Sequence, residues 1–183
     1  MRLSVRAWQS AVLQFSSCGK RDDATGLMLH FDKLIHTFSS KNGGKPDSIN
    51  FRGEVLNKKV LIIDDEDFLR SFYSHYFVKN GFVVLEADNG LDGVAVAEAE
   101  KPELILLDLI MPGMHGFAVC KQLRENPALD KTTIIITSSK SYKPDIDKAL
   151  ELGADAYVIK PVEFDELFQI ANEKMVQRLR VIP

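Results

Sequence analysis

The sequence predicts an α/β protein built on a parallel sheet. Five short, almost wholly apolar runs alternate with five segments of helical spacing. Continuous apolar strands are the mark of a sheet buried on both faces. Strict alternation then puts helices on both sides of it, joined by right-handed crossovers.

The elements follow in order. Lys59-Val60-Leu61-Ile62-Ile63 is too short for a helix and is cut off by Asp64-Asp65-Glu66-Asp67, so it reads as a buried strand. Phe68 to Asn80 has helical spacing, with Leu69, Phe72, Tyr73 and Tyr76 on one side and Asn80-Gly81 closing it. Phe82 to Ala87 is the second strand, and Asp88-Asn89-Gly90 starts an Ala/Val/Glu helix running to Glu100. Leu104 to Leu107 is the third strand, followed by a helix with Phe117, Cys120 and Leu123 inside. Thr133 to Ile136 is the fourth. Ile146, Ala149 and Leu150 mark a helix ending at Gly153, and Ala156 to Ile159 is the fifth strand. Phe164, Leu167, Phe168, Ala171 and Met175 give the last helix its stripe.

Composition narrows the function. The 183 residues carry 23 Lys+Arg against 26 Asp+Glu, a net charge of -3, which gives no bulk attraction to nucleic acid or to an anionic membrane. No apolar run is long enough to span a bilayer. Cys18 and Cys120 stand far apart without a C-x-x-C pair, which argues against a disulfide scaffold or a zinc cage and for a reducing compartment. The regular pattern begins near residue 57. Residues 41–56, with Ser, Lys, Asn, Gly and Pro side by side, read as a flexible linker. Residues 1–40 form an extension in which Val5, Trp8, Val12 and Phe15, and then Leu27, Phe31, Leu34 and Phe38, fall at the spacing of short amphipathic helices. A docking or dimerising arm is the favoured role for them; an organellar transit peptide or a start site nearer Met28 are the alternatives.

In a sheet of this kind ligands sit outside the carboxyl ends of the strands. There stand Asp64 and Asp65 after strand one, Asp108 after strand three, Thr137 and Ser138 after strand four, and Lys160-Pro161 after strand five. Asp64, Asp65 and Asp108 bring carboxylates together, which repel unless a cation neutralises them; an all-oxygen cluster suits Mg²⁺ with retained waters. A cation, the Lys160 ammonium and the Thr137 hydroxyl around one carboxylate are the groups that stabilise three phosphoryl oxygens while the carboxylate acts as nucleophile. Each residue alone has a plainer explanation: an Asp after a strand is ordinarily a helix N-cap, and a Lys-Pro a turn. Their joint occurrence at successive strand ends is what points to chemistry. The acidic first loop would repel a pyrophosphate, which argues against a dinucleotide fold and makes it a poor flavin phosphate cradle. Ile110, two residues beyond Asp108, stands where a dedicated phosphatase of the haloacid-dehalogenase type would need a second carboxylate.

Four stretches carry a family likeness: Val60-Leu61-Ile62-Ile63-Asp64-Asp65-Glu66, Leu106-Leu107-Asp108-Leu109-Ile110-Met111-Pro112-Gly113-Met114-His115-Gly116, Ile134-Ile135-Ile136-Thr137-Ser138, and Gly153-Ala154-Asp155-Ala156-Tyr157-Val158-Ile159-Lys160-Pro161. In this order they resemble the receiver domain of two-component response regulators, over residues 57–180. The resemblance implies a flavodoxin-like, doubly wound sheet of strand order 2-1-3-4-5. It implies a phosphoacceptor rather than an enzyme: Asp108 takes a phosphoryl group from a sensor histidine kinase or histidine phosphotransfer protein and slowly loses it. Mg²⁺ would be held by Asp65 directly, by Asp64 through water, by Asp108, and by the Ile110 carbonyl. Ile110, Thr137, Ser138 and Lys160 would surround the phosphoryl group, and Ile110 with Ser139 would govern how water reaches it, an apolar Ile110 implying slow hydrolysis. Thr137 and Tyr157 would form the switch, and a cis bond before Pro161 would aim Lys160 into the site. His115 stands where an acid is common in this family, and reads as a solvated loop residue.

With only Arg178 to Pro183 after the last helix, the expectation is a stand-alone receiver of the chemotaxis type in a bacterial cytoplasm. Its output would pass through the fourth helix, fifth strand and last helix to a protein target, with a dimer through the last helix or the N-terminal arm as a possibility. The competing reading is a constitutive adaptor that keeps the fold without being phosphorylated. A phosphatase acting in trans ranks last.

Overall fold

The computed structural model describes residues 58–181. The expected extension over 1–40, with its two helical stretches, and the linker over 41–56 lie outside these residues. The order is β1 (Lys59–Ile63), α1 (Asp67–Lys79), β2 (Val83–Ala87), α2 (Gly90–Glu100), β3 (Leu104–Asp108), α3 (Gly116–Glu125), a single 3₁₀ turn (Pro127–Leu129), β4 (Thr133–Ser138), α4 (Lys143–Glu151), β5 (Ala156–Ile159) and α5 (Phe164–Val181). All four strand pairings are parallel, as the sequence pattern predicts, and the sheet order is β2-β1-β3-β4-β5, as the family resemblance implies.

Period-two alternation sorts the strand residues into two cores. Leu61, Ile63, Ile105, Leu107, Ile134 and Ile136 face one side and meet Val94 and Ala97 of α2, Val119, Cys120 and Leu123 of α3, and Ala149 of α4. Val60, Ile62, Leu104, Leu106, Ile135 and Val158 face the other and meet Tyr73 and Phe77 of α1 and Leu167, Ala171 and Met175 of α5. Both faces are covered, which is why the central strands show no polar alternation.

Local chemistry sets the ends. Asn89 caps α2, its Oδ1 accepting the Asp92 N–H at 2.9 Å. Gly81, at φ +81°, and Gly153, at φ +95°, let the chain turn left-handed after α1 and α4. Two side chains fall differently from their sequence reading. Phe77 lies outside the stripe read from α1 yet is fully buried, because aromatic packing with Phe82 and Phe168 draws it in. Leu150 is 46% exposed; Ala149 alone is buried in α4. Cys120 is buried and its thiol is pushed up to about 11 by desolvation, so it stays protonated at neutral pH.

Candidate phosphoryl-transfer site at the carboxyl edge

β1 runs outward to β2 and β3 runs the other way to β4, so the strand order reverses between β1 and β3. The crevice at such a switch point is where this architecture binds ligands. Ile63 and Leu107 are partners in register, which places the next residues, Asp64 and Asp108, at the same edge. Asp108 is in turn opposite Thr137 of β4. The cis Lys160-Pro161 peptide, implied by the family resemblance, follows β5.

One ammonium gathers two carboxylates here. Lys160 Nζ donates to Asp108 Oδ1 at 2.6 Å and to Asp64 Oδ2 at 2.8 Å. The other oxygens accept backbone N–H groups, Ile110 onto Asp108 Oδ2 at 2.5 Å and Glu66 onto Asp64 Oδ1 at 2.9 Å. Asp64 is 2% exposed and Asp108 6%, so both carboxylates sit out of water beside a Lys160 side chain that is 15% exposed. Burial pushes the Asp108 carboxyl above its ordinary range, against the opposing pull of Lys160. For Lys160 burial opposes the charged form, yet Asp64 and then Asp108 outweigh it and raise the ammonium above its usual value. Two buried carboxylates therefore share a single positive charge, and the site carries an excess of negative charge.

Of the other expected residues, Thr137 and Ser138 are fully buried at the end of β4. The Ser138 Oγ accepts the Lys140 N–H at 3.2 Å and its carbonyl accepts the Lys160 N–H at 2.7 Å, so Ser138 fastens the two loops that carry the site. Tyr157 is half-buried, and its hydroxyl donates to the Lys140 carbonyl at 3.0 Å. His115 is exposed, and its ring accepts the Phe117 N–H at the start of α3. Asp65, expected in one cluster with Asp64 and Asp108, is exposed, while the other two meet at Lys160. Among the described residues no three His, Cys, Asp or Glu side chains converge as a ready metal cage. The donors on offer, two buried carboxylates and the exposed Asp65 next to Asp64 in the chain, are all oxygen. That is the set of a hard cation that keeps its own waters, so the residues fit Mg²⁺.

Two supports were not legible beforehand. Arg70 of α1 donates to the Asp64 carbonyl at 2.6 Å and also holds Asp67 and Glu86, so one guanidinium steadies the acidic loop from behind. Gly116, at the start of α3, lies so close that a Cβ would stand 2.4 Å from the Asp108 carbonyl oxygen and 2.8 Å from Leu109 Cα. Those neighbours are backbone and cannot rotate away. Gly116→Ala is expected to cost about 1–3 kcal/mol in urea unfolding and to displace the Asp108 loop; an unchanged midpoint would mean that α3 slides freely.

The family model for the response regulator receiver domain matches residues 60–172. Protein PilH of Pseudomonas aeruginosa is 35% identical over 114 residues, 62% of this chain and 94% of its own length. Chemotaxis protein CheY of Bacillus subtilis is 31% identical over 118 residues, 64% of this chain and 97% of that protein. The alkaline phosphatase synthesis transcriptional regulatory protein PhoP of B. subtilis is 38% identical over 106 residues, but the chain spans only 43% of that longer relative. Among solved structures, the receiver domain of the Francisella response regulator 1452 superposes with a TM-score of 0.61 at 28% identity, covering 66% of this chain and 98% of that one. The Vibrio cholerae chemotaxis protein CheY4 does so with a TM-score of 0.62 at 25% identity, covering 64% of this chain and 98% of that one. With the doubly wound sheet and the Asp64, Asp108, Thr137 and Lys160 edge already in place, the match over more than half its length settles the family: the chain belongs to the response regulator receiver domains.

Proposed function

We propose that this chain is a phosphoacceptor switch, taking a phosphoryl group on Asp108 from a histidine kinase or histidine phosphotransfer protein and signalling through protein–protein contacts. The observation that carries the reading is the buried Lys160 ammonium, 2.6 Å from Asp108 and 2.8 Å from Asp64, at the switch point of the sheet. An Asp108 carboxylate oxygen forms the new bond to phosphorus, and the phosphohistidine nitrogen leaves with the bonding pair. Bound near Asp64, Asp65, Asp108 and the Ile110 carbonyl, Mg²⁺ would neutralise charge building on the phosphoryl oxygens. Lys160 does the same from the other side and stays charged throughout, its ammonium being raised rather than lowered by its surroundings. The Ile110 N–H holds the second carboxylate oxygen, which fixes the plane of the nucleophile.

Phosphorylation replaces one carboxylate charge by a dianionic group with three strong acceptors. Thr137, opposite Asp108 in register and buried, is the strand residue placed to answer it. Tyr157 pairs with Ile136 in register and its hydroxyl is on the Lys140 carbonyl, so a shift at Thr137 reaches Tyr157 through the β4 end. The readout face would be α4, β5 and α5, where Leu150, Ile159, Val176 and Leu179 are each more than 40% exposed; a target protein or a second copy would bind there. No substrate other than the donor is turned over, and the cytoplasm of a bacterium is the fitting compartment.

The test is intact mass after incubation with Mg²⁺ and acetyl phosphate, wild type beside Asp108→Ala. A single phosphoryl adduct on wild type alone is expected, disappearing when the cation is chelated. No adduct on either protein would make a constitutive adaptor the better account. Followed in time, a half-life of seconds would contradict the slow hydrolysis expected from an apolar Ile110.

A further inference from the structure

We infer that the groove between α3 and α4 is a docking site for an acidic peptide segment that carries an apolar anchor. It is lined by His115, Phe117, Ala118 and Lys121 from the start of α3, and by Lys148 and Leu152 from α4 and its C-cap. Phe117 and Leu152 are partly buried against the core and form an apolar floor that stops short of being covered. Lys148 Nζ lies 4.6 Å from the centroid of the Phe117 ring, and the centroid of the His115 ring lies 5.1 Å from it.

The charges around this floor are of one sign. No carboxylate is among the lining residues. Of the neighbouring lysines, Lys143 holds Asp147 at 2.9 Å and Lys140 approaches Asp145 at 3.8 Å. Lys148, in contrast, makes no ion pair among the described residues, and its ammonium rests on the aromatic face instead. Lys121 reaches Glu125 only at 3.7 Å, with both side chains about two-thirds exposed, a pair that contributes little and is readily exchanged. A cation on an exposed ring is held weakly and remains free to take a carboxylate. The two walls of the groove thus present ammonium groups over an apolar floor, which suits an Asp or Glu beside an aromatic or aliphatic side chain, presented on an amphipathic segment.

Net charge refines the choice of occupant. The chain as a whole is at -3, so it does not draw an acidic partner from afar. Recognition must be made at contact distance, inside the screening length, where Lys121 and Lys148 dominate. That is why the partner needs the apolar anchor as well as the acid. Residues 1–20 carry Arg2, Arg6 and Lys20 and no acidic residue, so they are mismatched to this groove. The location adds a consequence: His115 belongs to the loop after Asp108, and Gly116 packs on the Asp108 carbonyl. An occupant of the groove touches the helix that begins at the phosphoryl site.

The experiment selects a random-peptide phage library on the immobilised full-length chain and measures the enriched peptides by fluorescence anisotropy. The expected consensus has Asp or Glu flanking Phe, Leu or Met. Affinity is expected to fall ~10-fold or more with Lys148→Glu and with Phe117→Ala, and to stay unchanged with Leu179→Ala on α5. Lys148 is exposed, so the charge reversal leaves the thermal midpoint in place and the loss is one of binding. Peptides without acidic enrichment, or indifferent to the Lys148 and Phe117 variants, would overturn the inference. So would displacement of the peptide by a synthetic fragment of residues 21–40, or a concentration-dependent dimer abolished by Lys148→Glu, since the groove would then belong to the chain itself.

Discussion

Asp155→Ala lowers stability by about 3–5 kcal/mol, enough to drop the thermal midpoint on the order of 10–20 °C. The carboxylate stands just before β5, at the edge of the sheet opposite Asp108 and Lys160, and two arginines converge on it. Arg124 of α3 donates to Oδ2 and Arg178 of α5 to Oδ1, both at 2.6 Å, while the Ile134 N–H adds a third bond at 2.8 Å. The Arg124 side chain is only 12% exposed, and burial pulls its guanidinium below the ordinary range, with Asp155 opposing that pull. With Asp155 gone, Arg124 keeps the carbonyls of Gly153 and Thr132 but loses its counter-charge in a desolvated place. An unpaired buried charge is the costly outcome, more so than the loss of the pair as such.

The same substitution leaves Arg178, which ties the end of α5 to Asp155, with only the Asp130 carbonyl at 2.7 Å. Amides of the last α5 turns should exchange first. Acetyl phosphate should still modify Asp108 well below the midpoint, because the clip and the site lie at opposite ends of β5. Urea and thermal unfolding of Asp155→Ala beside Asp155→Asn measure the effect. A change of less than 1 kcal/mol in the alanine variant would mean that water replaces the carboxylate without cost.

That clip also marks the limit of what the sequence discloses. The strands were legible because a sheet covered on both faces needs unbroken apolar runs such as Val60 to Ile63, all at most 1% exposed. The site was legible because chemistry in this architecture gathers after strand ends, and Asp64, Asp108, Thr137 and Lys160 stand there whatever the helices do. Pairings across the fold leave no such trace. Arg124, Asp155 and Arg178 belong to three elements, and nothing in their neighbours says that they meet. Arg70 looks like any solvated helix residue until β2 brings Glu86 beside it. Even within the site, the reading placed Lys160 beside Asp108 but could not say that Asp64, and not Asp65, would be its second carboxylate. Adjacent residues leaving a strand point in different directions, and only the backbone decides that Asp64 turns inward and Asp65 outward.

Lys160→Met tests the electrostatic core of the site, and its effect should depend on pH. At neutral pH the variant loses about 3–5 kcal/mol, since Asp64 and Asp108 remain buried with backbone donors alone. Burial already sets the Asp108 carboxyl above its unfolded value, and Lys160 is the main influence lowering it. Removing the ammonium raises the folded value further. A carboxyl raised on folding binds its proton more tightly in the native state, so it favours folding below the unfolded pKa of about 4 and loses that benefit as pH rises through the folded value. The variant should therefore be closest to wild type in acid and fall behind it as pH rises towards 8. Wild type carries the complementary contribution from Lys160, raised above 10.5 by the two carboxylates, which holds across the neutral range and is lost only as pH climbs through that raised value. Urea midpoints of both proteins at pH 4.5 and pH 8 give the comparison. A penalty that is the same at both values would mean that the carboxylates do not feel each other or the lysine. The site would then be an ordinary hydrogen-bonded turn, without the uncompensated negative charge on which the proposed binding of a cation and a phosphoryl group rests.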